Sequence, residues 1–247
     1  MGTYISILKY RSGDARERFK SKLHEHIGKP PISYKQFRVR IGDQEIPAHL
    51  KIKFSERKVL EGSTIIDCEV DSQEEVKNLD GVWNIKRARK LSLFFYEDDI
   101  DLEDIVLCVS DNSKSVKAFL EALRYLQFPL PQRLRIRFAR IPEFLEKITE
   151  LGSLGWVWLS KISDNTLRGA GLWGRNLQTS EVVSDLLRRG AEVVALVVVN
   201  ERKGLKIIIS DKGSIYSQRK LDPPVAAGEL RELIKFFKNS GLFVFEG

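Results

Sequence analysis

The chain has 247 residues and a formal net charge of +7, and it is 43% hydrophobic and 30% charged. A chain of this length and balance can bury a substantial core, which excludes wholesale disorder. It has no apolar run of about 18 residues and no apolar N-terminal signal segment, so we expect a cytoplasmic protein without a membrane partner. Abundant Lys, Arg and Glu with a single Met are typical of a thermophilic cytoplasm.

The first half of the chain predicts a mixture of helices and short strands. Apolar residues at helical spacing predict a helix over 12–27 that ends at Gly28. The capping-box pattern Ser72-Gln73-Glu74-Glu75 predicts a short helix, and Ser113 is expected to cap another helix with an apolar stripe. Strands are predicted at 37–41, 50–54, 63–70, 91–96 and 105–109.

The segment around Pro129 and Pro131 is the best candidate for a domain boundary, because two prolines in three residues forbid continuing a helix. Beyond it we expect strands at 133–138, 155–162, 192–199, 205–209, 214–217 and 242–245, with helices from Pro142, over 180–189 and near the C-terminus. We therefore predict an α+β fold of two subdomains, residues 1–130 and 131–247, with mixed or antiparallel sheets and helices packed on one face.

The charges are segregated along the first half of the chain. Residues 1–60 carry 14 Lys and Arg against 6 Asp and Glu, a net charge of +8, whereas residues 61–110 carry 5 against 13, a net charge of −8. One interpretation is that the two blocks neutralise one another in the fold. The other is a basic binding surface with a separate acidic site.

Three of the predicted strands have a cation at every second position. Side chains alternate between the two faces of a strand, so each run places its cations on one face. An Arg-rich and Lys-rich face suits phosphate oxygens, which predicts binding to the phosphate backbone of nucleic acid. The alternative is a solvated face whose cations pair with the acidic strand 67–71. The residues concerned are Arg38, Arg40, Lys51, Lys53, Arg133, Arg135 and Arg137.

Two further charged clusters allow both a functional and a purely structural interpretation. Lys86, Arg87, Arg89 and Lys90 are four cations within five residues, which suits nucleic acid but equally a solvated turn or helix surface. Asp67, Glu69 and Asp71 share one strand face and could hold Mg²⁺ or Mn²⁺ in a nuclease or other phosphoesterase. Pairing of these carboxylates with the basic strands is the favoured interpretation, and we predict neither a metal site nor a cofactor.

The segment Gly169-Ala170-Gly171-Leu172-Trp173-Gly174 matches the dinucleotide-binding pattern G-x-G-x-x-G, but no helix begins directly after it. We predict a loop instead. Together with Arg168 and Arg175, an exposed Trp173 could stack on a base. Packing of this indole against the core is the favoured interpretation, because large aromatic side chains are mostly buried.

The remaining reactive residue types do not form a recognisable catalytic set. Cys68 and Cys108 lie in apolar runs and are expected to be reduced core residues, with a disulfide left open. His24 and His26 point to different sides of a helix, which argues against a shared metal. We predict a non-catalytic nucleic-acid-binding protein. The alternatives are the carboxylate-based nuclease and a protein-interaction module whose basic face docks an acidic partner, with self-association of the oppositely charged blocks.

Overall fold

The computed structural model describes residues 2–41, 44–56, 62–78, 81–138, 152–162, 168–201 and 204–245. These residues are mostly sheet, with 50% strand and 25% helix, and they form one large antiparallel sheet of 13 strands with 4 helices. The predicted α+β fold of two sheets with helices packed on one face is therefore wrong. The pattern underestimated the strands: β4 and β5 are each 16 residues long, because cross-strand pairing extends them through segments whose local pattern suggested helix or turn.

The strands are β1 (Thr3–Lys9), β2 (Ile32–Ile41), β3 (Gln44–Glu56), β4 (Ser63–Asn78), β5 (Gly81–Tyr96), β6 (Ile105–Ser110), β7 (Gln132–Ile136), β8 (Ser153–Ser160), β9 (Gly169–Trp173), β10 (Glu192–Asn200), β11 (Leu205–Ser210), β12 (Ser214–Ser217) and β13 (Phe243–Phe245). The helices are α1 (Gly13–His24), α2 (Ser113–Tyr125), α3 (Glu181–Arg188) and α4 (Pro223–Asn239). In the part of the chain that is described, no helix has the length and hydrophobicity to cross a bilayer.

The chain divides into two compact units. The N-terminal unit comprises Leu8–Gln132, and the C-terminal unit comprises Met1–Ile7 together with Arg133–Gly247. The first residues belong with the C-terminal unit because β1 pairs antiparallel with β12, from Thr3 opposite Ser217 to Ser6 opposite Ser214. This contact joins segments more than 200 residues apart, and no local pattern signals it.

Strands of the N-terminal unit follow the order β2-β3-β4-β5-β6. β4 and β5 form a long hairpin in which Ser63 lies opposite Tyr96 and Asn78 opposite Gly81. The helix predicted at 72–75 is therefore wrong, since these residues continue β4. The reason is tertiary: the Glu74 carboxylate binds cations from β5 and α2, and these pairings outweigh a local capping signal.

The core of the N-terminal unit is aromatic. The ring of Phe19 on α1 lies 5.2 Å from Tyr10 and 6.0 Å from Phe128, and Phe128 lies 6.0 Å from Phe54 on β3. Such tilted and edge-on pairs add to the free energy of apolar burial. Ser12 caps α1 by accepting a hydrogen bond from the backbone N–H of Ala15, which confirms the predicted helix start. The predicted cap of α2 is wrong by one residue, because the Asn112 side chain, and not Ser113, accepts the hydrogen bonds of the first turn.

Strands of the C-terminal unit follow the order β1-β12-β11-β10-β8-β9. The predicted strands over 192–199, 205–209 and 214–217 and the last helix are confirmed as β10, β11, β12 and α4. The Gly/Trp segment is not a loop throughout, since Gly169–Trp173 forms strand β9 paired with β8. The helix predicted from Pro142 lies outside the described residues.

Candidate nucleic-acid interface

Five of the predicted phosphate-binding cations lie on one face of the N-terminal unit. The register pairs Ser33 with Lys51, Arg38 with Pro47 and Gln73 with Lys86, so alternation along each strand places the five on the same side. We call this the charged face. Its cations come from β2, β3 and β5 and are Arg38, Lys51, Lys53, Lys86 and Lys90. The side chain of Arg40 lies outside the described part of the chain.

Carboxylates of β4 interrupt these cations. Glu69 lies opposite Lys53 on one side and opposite Lys90 on the other, so one register row reads cation, anion, cation. Asp71 accepts a hydrogen bond of 2.9 Å from the backbone N–H of Lys51, and its Oδ2 lies 2.8 Å from Nζ of Lys86. Positively and negatively charged side chains thus alternate across the charged face, which weakens its attraction for an anionic partner.

Two cations of the basic segment 86–90, Arg87 and Arg89, lie on the face of the sheet opposite to the charged face. Arg87 and Arg89 both form ion pairs with Glu74, as does Lys114 at the start of α2. Burial alone would raise the pKa of Glu74. The hydrogen bond from Lys114 and the two guanidinium groups outweigh this effect and hold the pKa below its usual range. Arg87 and Arg89 therefore neutralise a carboxylate within their own unit.

The three carboxylates of the predicted metal site share a face of β4, as their alternation indicates, but they have protein partners. Asp67 accepts a hydrogen bond from the Ser92 hydroxyl, and Asp71 pairs with Lys86. Glu69 lies between two lysines in register. In the described part of the chain, no group of three or more His, Cys, Asp and Glu side chains is placed to hold a metal ion.

The third basic run lies in the C-terminal unit, in and just after β7. Nη2 of Arg133 donates to Tyr4 Oη at 2.9 Å, and its Nε donates to Ser6 Oγ at 3.3 Å. Arg135 forms a 3.1 Å ion pair with Asp211, whereas Arg137 follows the strand and is exposed. The eleven predicted binding residues are thus distributed over two units rather than along one strand row.

A second candidate surface is formed by three tryptophans of the β8–β9 hairpin. Trp156 lies opposite Trp173 and Trp158 lies opposite Gly171, so the three indoles project from the same face. Trp173 is 81% exposed and Trp158 is 43% exposed. The prediction that Trp173 packs against the core is therefore wrong. We call Trp156, Trp158 and Trp173 the tryptophan surface.

Glycine at position 171 allows the indoles to lie over β9. A Cβ atom there would stand 3.2 Å from Cε3 of Trp158 and 3.3 Å from Nε1 of Trp156, which is closer than most carbon contacts. The rings of Trp156 and Trp158 pack edge-to-face with their centroids 5.9 Å apart. The central glycine of the G-x-G-x-x-G match, Gly171, thus serves ring packing on a strand rather than a phosphate-binding turn.

Arginines stand at both ends of β9. Arg168 directly precedes the strand and Arg175 follows it by two residues, and both side chains are exposed. Indole faces stack on unpaired bases, and guanidinium groups bind the neighbouring phosphates in a fork geometry. The sequence pattern points to Trp173, Arg168 and Arg175 as candidate contacts but not to Trp156 and Trp158. The signal was present in the alternating Trp-Val-Trp of a predicted strand.

The chain matches no protein-family model and no curated protein.

Proposed function

We propose that this protein binds single-stranded nucleic acid without catalysing a reaction on it, and that the tryptophan surface is its contact site. One observation carries the proposal. Three indoles project from the same face of a hairpin, and the most exposed of them belongs to a strand with an exposed arginine at each end. Aromatic rings combined with cations are the recurring features of surfaces that bind single strands.

The tryptophan surface favours unpaired over paired bases. In a duplex the base faces are stacked on one another, so an indole gains its full stacking contact only with a base that is free of its partner. An exposed indole also leaves a large apolar area in contact with water, and such patches commonly mark binding sites. The net charge of +7 adds a long-range attraction for the polyanion.

The charged face has a secondary role in this proposal. Lys51, Lys53 and Lys90 are exposed and can attract phosphates over a distance. The carboxylates between them reduce that attraction, so we assign most of the specific contact to the tryptophan surface. A cytoplasmic setting is part of the proposal, since Cys68 and Cys108 are buried thiols that do not form a disulfide, and thiols persist in reducing compartments.

The proposal is tested by binding of labelled oligonucleotides at low salt. Oligo-dT and oligo-U of about twenty nucleotides are compared with a duplex of the same length by fluorescence anisotropy, while intrinsic tryptophan fluorescence is followed in the same titrations with unlabelled strands. We expect tighter binding of the single strands and quenching of the fluorescence as bases stack on the indoles. Binding that is absent at low salt, or equally tight for the duplex without quenching, would contradict the proposal.

A further inference from the structure

The tryptophan surface is one end of a longer row across the sheet of the C-terminal unit. From Trp173 the register leads through Trp156, Val197, Ile208 and Tyr216 to Tyr4, each residue lying opposite the next on the neighbouring strand. Residues opposite one another in a ladder project from the same face. These six side chains therefore lie side by side across β9, β8, β10, β11, β12 and β1.

The row has aromatic residues at both ends and aliphatic residues between them. Val197 is only 2% exposed and Ile208 is half-buried, so a ligand that crosses the row makes its contacts chiefly at the two aromatic ends. Tyr216 and Tyr4 at the far end are both partly exposed. Two separate aromatic stations thus share one face, with largely covered aliphatic residues between them.

A cation is already oriented at the tyrosine end. Arg133 donates to Tyr4 Oη and to Ser6 Oγ, which lies on the same face as Tyr4. A guanidinium has five N–H donors, so these two hydrogen bonds orient Arg133 and leave further donors able to reach a phosphate. At the other end of the row, the exposed Arg175 follows the exposed Trp173 by two residues.

The distance between the stations sets the length of a ligand that reaches both. The row makes five steps between neighbouring strands, and at about 4.8 Å per step it spans about 24 Å. With about 3.4 Å between stacked nucleotides, this span corresponds to about seven nucleotides, and to fewer in a more extended strand.

We propose that a single strand of nucleic acid binds across the sheet along this row, with bases stacked on the tryptophan surface at one end and on Tyr216 and Tyr4 at the other. Arg133 binds a phosphate at the tyrosine end. The inference rests on the proposed function and adds to it a second contact station. The bound nucleic-acid strand runs perpendicular to the β-strands, and it needs a minimum length of about four to seven nucleotides to reach both stations.

The experiment is a length series of oligo-dT, from two to twelve nucleotides, titrated against the parent protein and three variants. For the parent, affinity should rise with length until the strand reaches both stations and then level off. Trp173→Ala should weaken binding at every length. Tyr216→Ala and Arg133→Gln should both leave dimers and trimers unaffected and weaken strands of eight or more. For Tyr216→Ala the loss should be about 5- to 150-fold, as expected for one base–aromatic stack. Arg133→Gln should also flatten the slope of log affinity against log salt by about 0.7, as expected for one phosphate contact.

Controls separate a lost contact from a lost fold. Tyr216→Phe keeps the ring and should bind long strands nearly as well as the parent. Tyr125→Ala removes a tyrosine that is 52% exposed in the N-terminal unit and should not change the length dependence. Each variant is checked by thermal melting.

The outcomes distinguish this inference from the proposed function. A parent protein that binds no single strand of any length overturns both. A parent that binds, but whose affinity levels off at two or three nucleotides and is unchanged by Tyr216→Ala and Arg133→Gln, overturns the path across the sheet and leaves the tryptophan surface as the site. Loss of short-strand binding in Arg133→Gln also overturns the path, since it places Arg133 beside the indoles.

Discussion

Trp156 and Trp173 lie opposite one another in the β8–β9 ladder, and Trp173 nevertheless keeps 81% of its surface exposed. The indole belongs to β9, the last strand in the order of the described sheet, so no further strand of that order lies beside it. An aromatic side chain of this size is usually mostly buried. Its exposure next to two further indoles is therefore the strongest functional signal in the described residues.

Replacing Trp173 by alanine should separate binding from stability. The side chain is exposed, so we expect a change of less than about 0.5 kcal/mol in the free energy of unfolding. Affinity for single-stranded DNA should fall by about 1–3 kcal/mol, the usual contribution of one stacked base. Thermal melting and fluorescence anisotropy measure the two effects. Ile100→Ala is the matched control, because Ile100 is also 81% exposed but lies in the N-terminal unit. Equal losses of affinity in both variants would argue against stacking.

Replacing Arg168 and Arg175 together by glutamine should reduce the salt dependence of binding. For single strands, the slope of log affinity against log salt is about −0.7 per neutralised phosphate, so the double variant should flatten the slope by about 1.4. The matched variant is Lys53→Gln with Lys90→Gln, which removes the same charge from the charged face. A larger change of this slope in the lysine double variant than in the arginine double variant would indicate that the charged face is the contact site.

A methyl group at Gly171 should disturb the tryptophan surface. The added Cβ would stand 3.2–3.3 Å from the two indoles, so the rings must move. We expect a destabilisation of about 1–3 kcal/mol, in the range of overpacking, together with weaker binding of single strands. Gly228→Ala serves as the control, because a Cβ at this helical position meets nothing within 4 Å and should stabilise α4 by up to about 1 kcal/mol. Unchanged tryptophan fluorescence and affinity in Gly171→Ala would show that the indoles adjust freely.

Loss of the Glu74 carboxylate should make the protein less stable near neutral pH and less sensitive to acid. Its folded-state pKa is lowered, so its contribution is complete above the unfolded value of about 4.3 and is lost as the pH falls through the folded value. Glu74→Gln should cost about 1.5–3 kcal/mol at neutral pH. The difference from the parent should shrink below about pH 4.3.

Urea unfolding between pH 3 and pH 7 measures this effect. Glu75→Gln is the control, because the side chain of Glu75 is exposed and projects from the other face of β4. A cost for Glu74→Gln that is the same at both ends of the pH range would mean that the ion pairs with Arg87, Arg89 and Lys114 are not the cause.

Divalent cations should not stabilise the protein through the carboxylates of β4. Asp67 is hydrogen-bonded to Ser92, and Asp71 is paired with Lys86. A bound metal would raise the melting temperature by mass action. We expect neither Mg²⁺ nor Mn²⁺ at millimolar concentration to shift melting by differential scanning fluorimetry. A rise that Asp67→Asn abolishes would restore the metal-dependent nuclease as the better hypothesis.

The sequence predicted several strands and helices of the fold with useful accuracy. The helix that begins after Ser12, the apolar stripe of α2 and the order of β10, β11, β12 and α4 all follow from local periodicity and capping. It did not predict the proportion of sheet. Residues 72–75 carry a helix-start signal and yet lie in β4, because Glu74 finds its cations on β5 and α2.

Alternation along a strand is a local property, and the sequence alone determined which neighbours share a face. Asp67, Glu69 and Asp71 project from the same side, as do Lys51 and Lys53. Only the tertiary structure decided what lies opposite them, for example Lys53 and Lys90 on either side of Glu69. The physical reason is that register depends on ladder hydrogen bonds and packing between distant segments, which leave no local signal. The same holds for Trp173 opposite Trp156 and for Tyr4 opposite Tyr216, and on these pairings the proposed binding row depends.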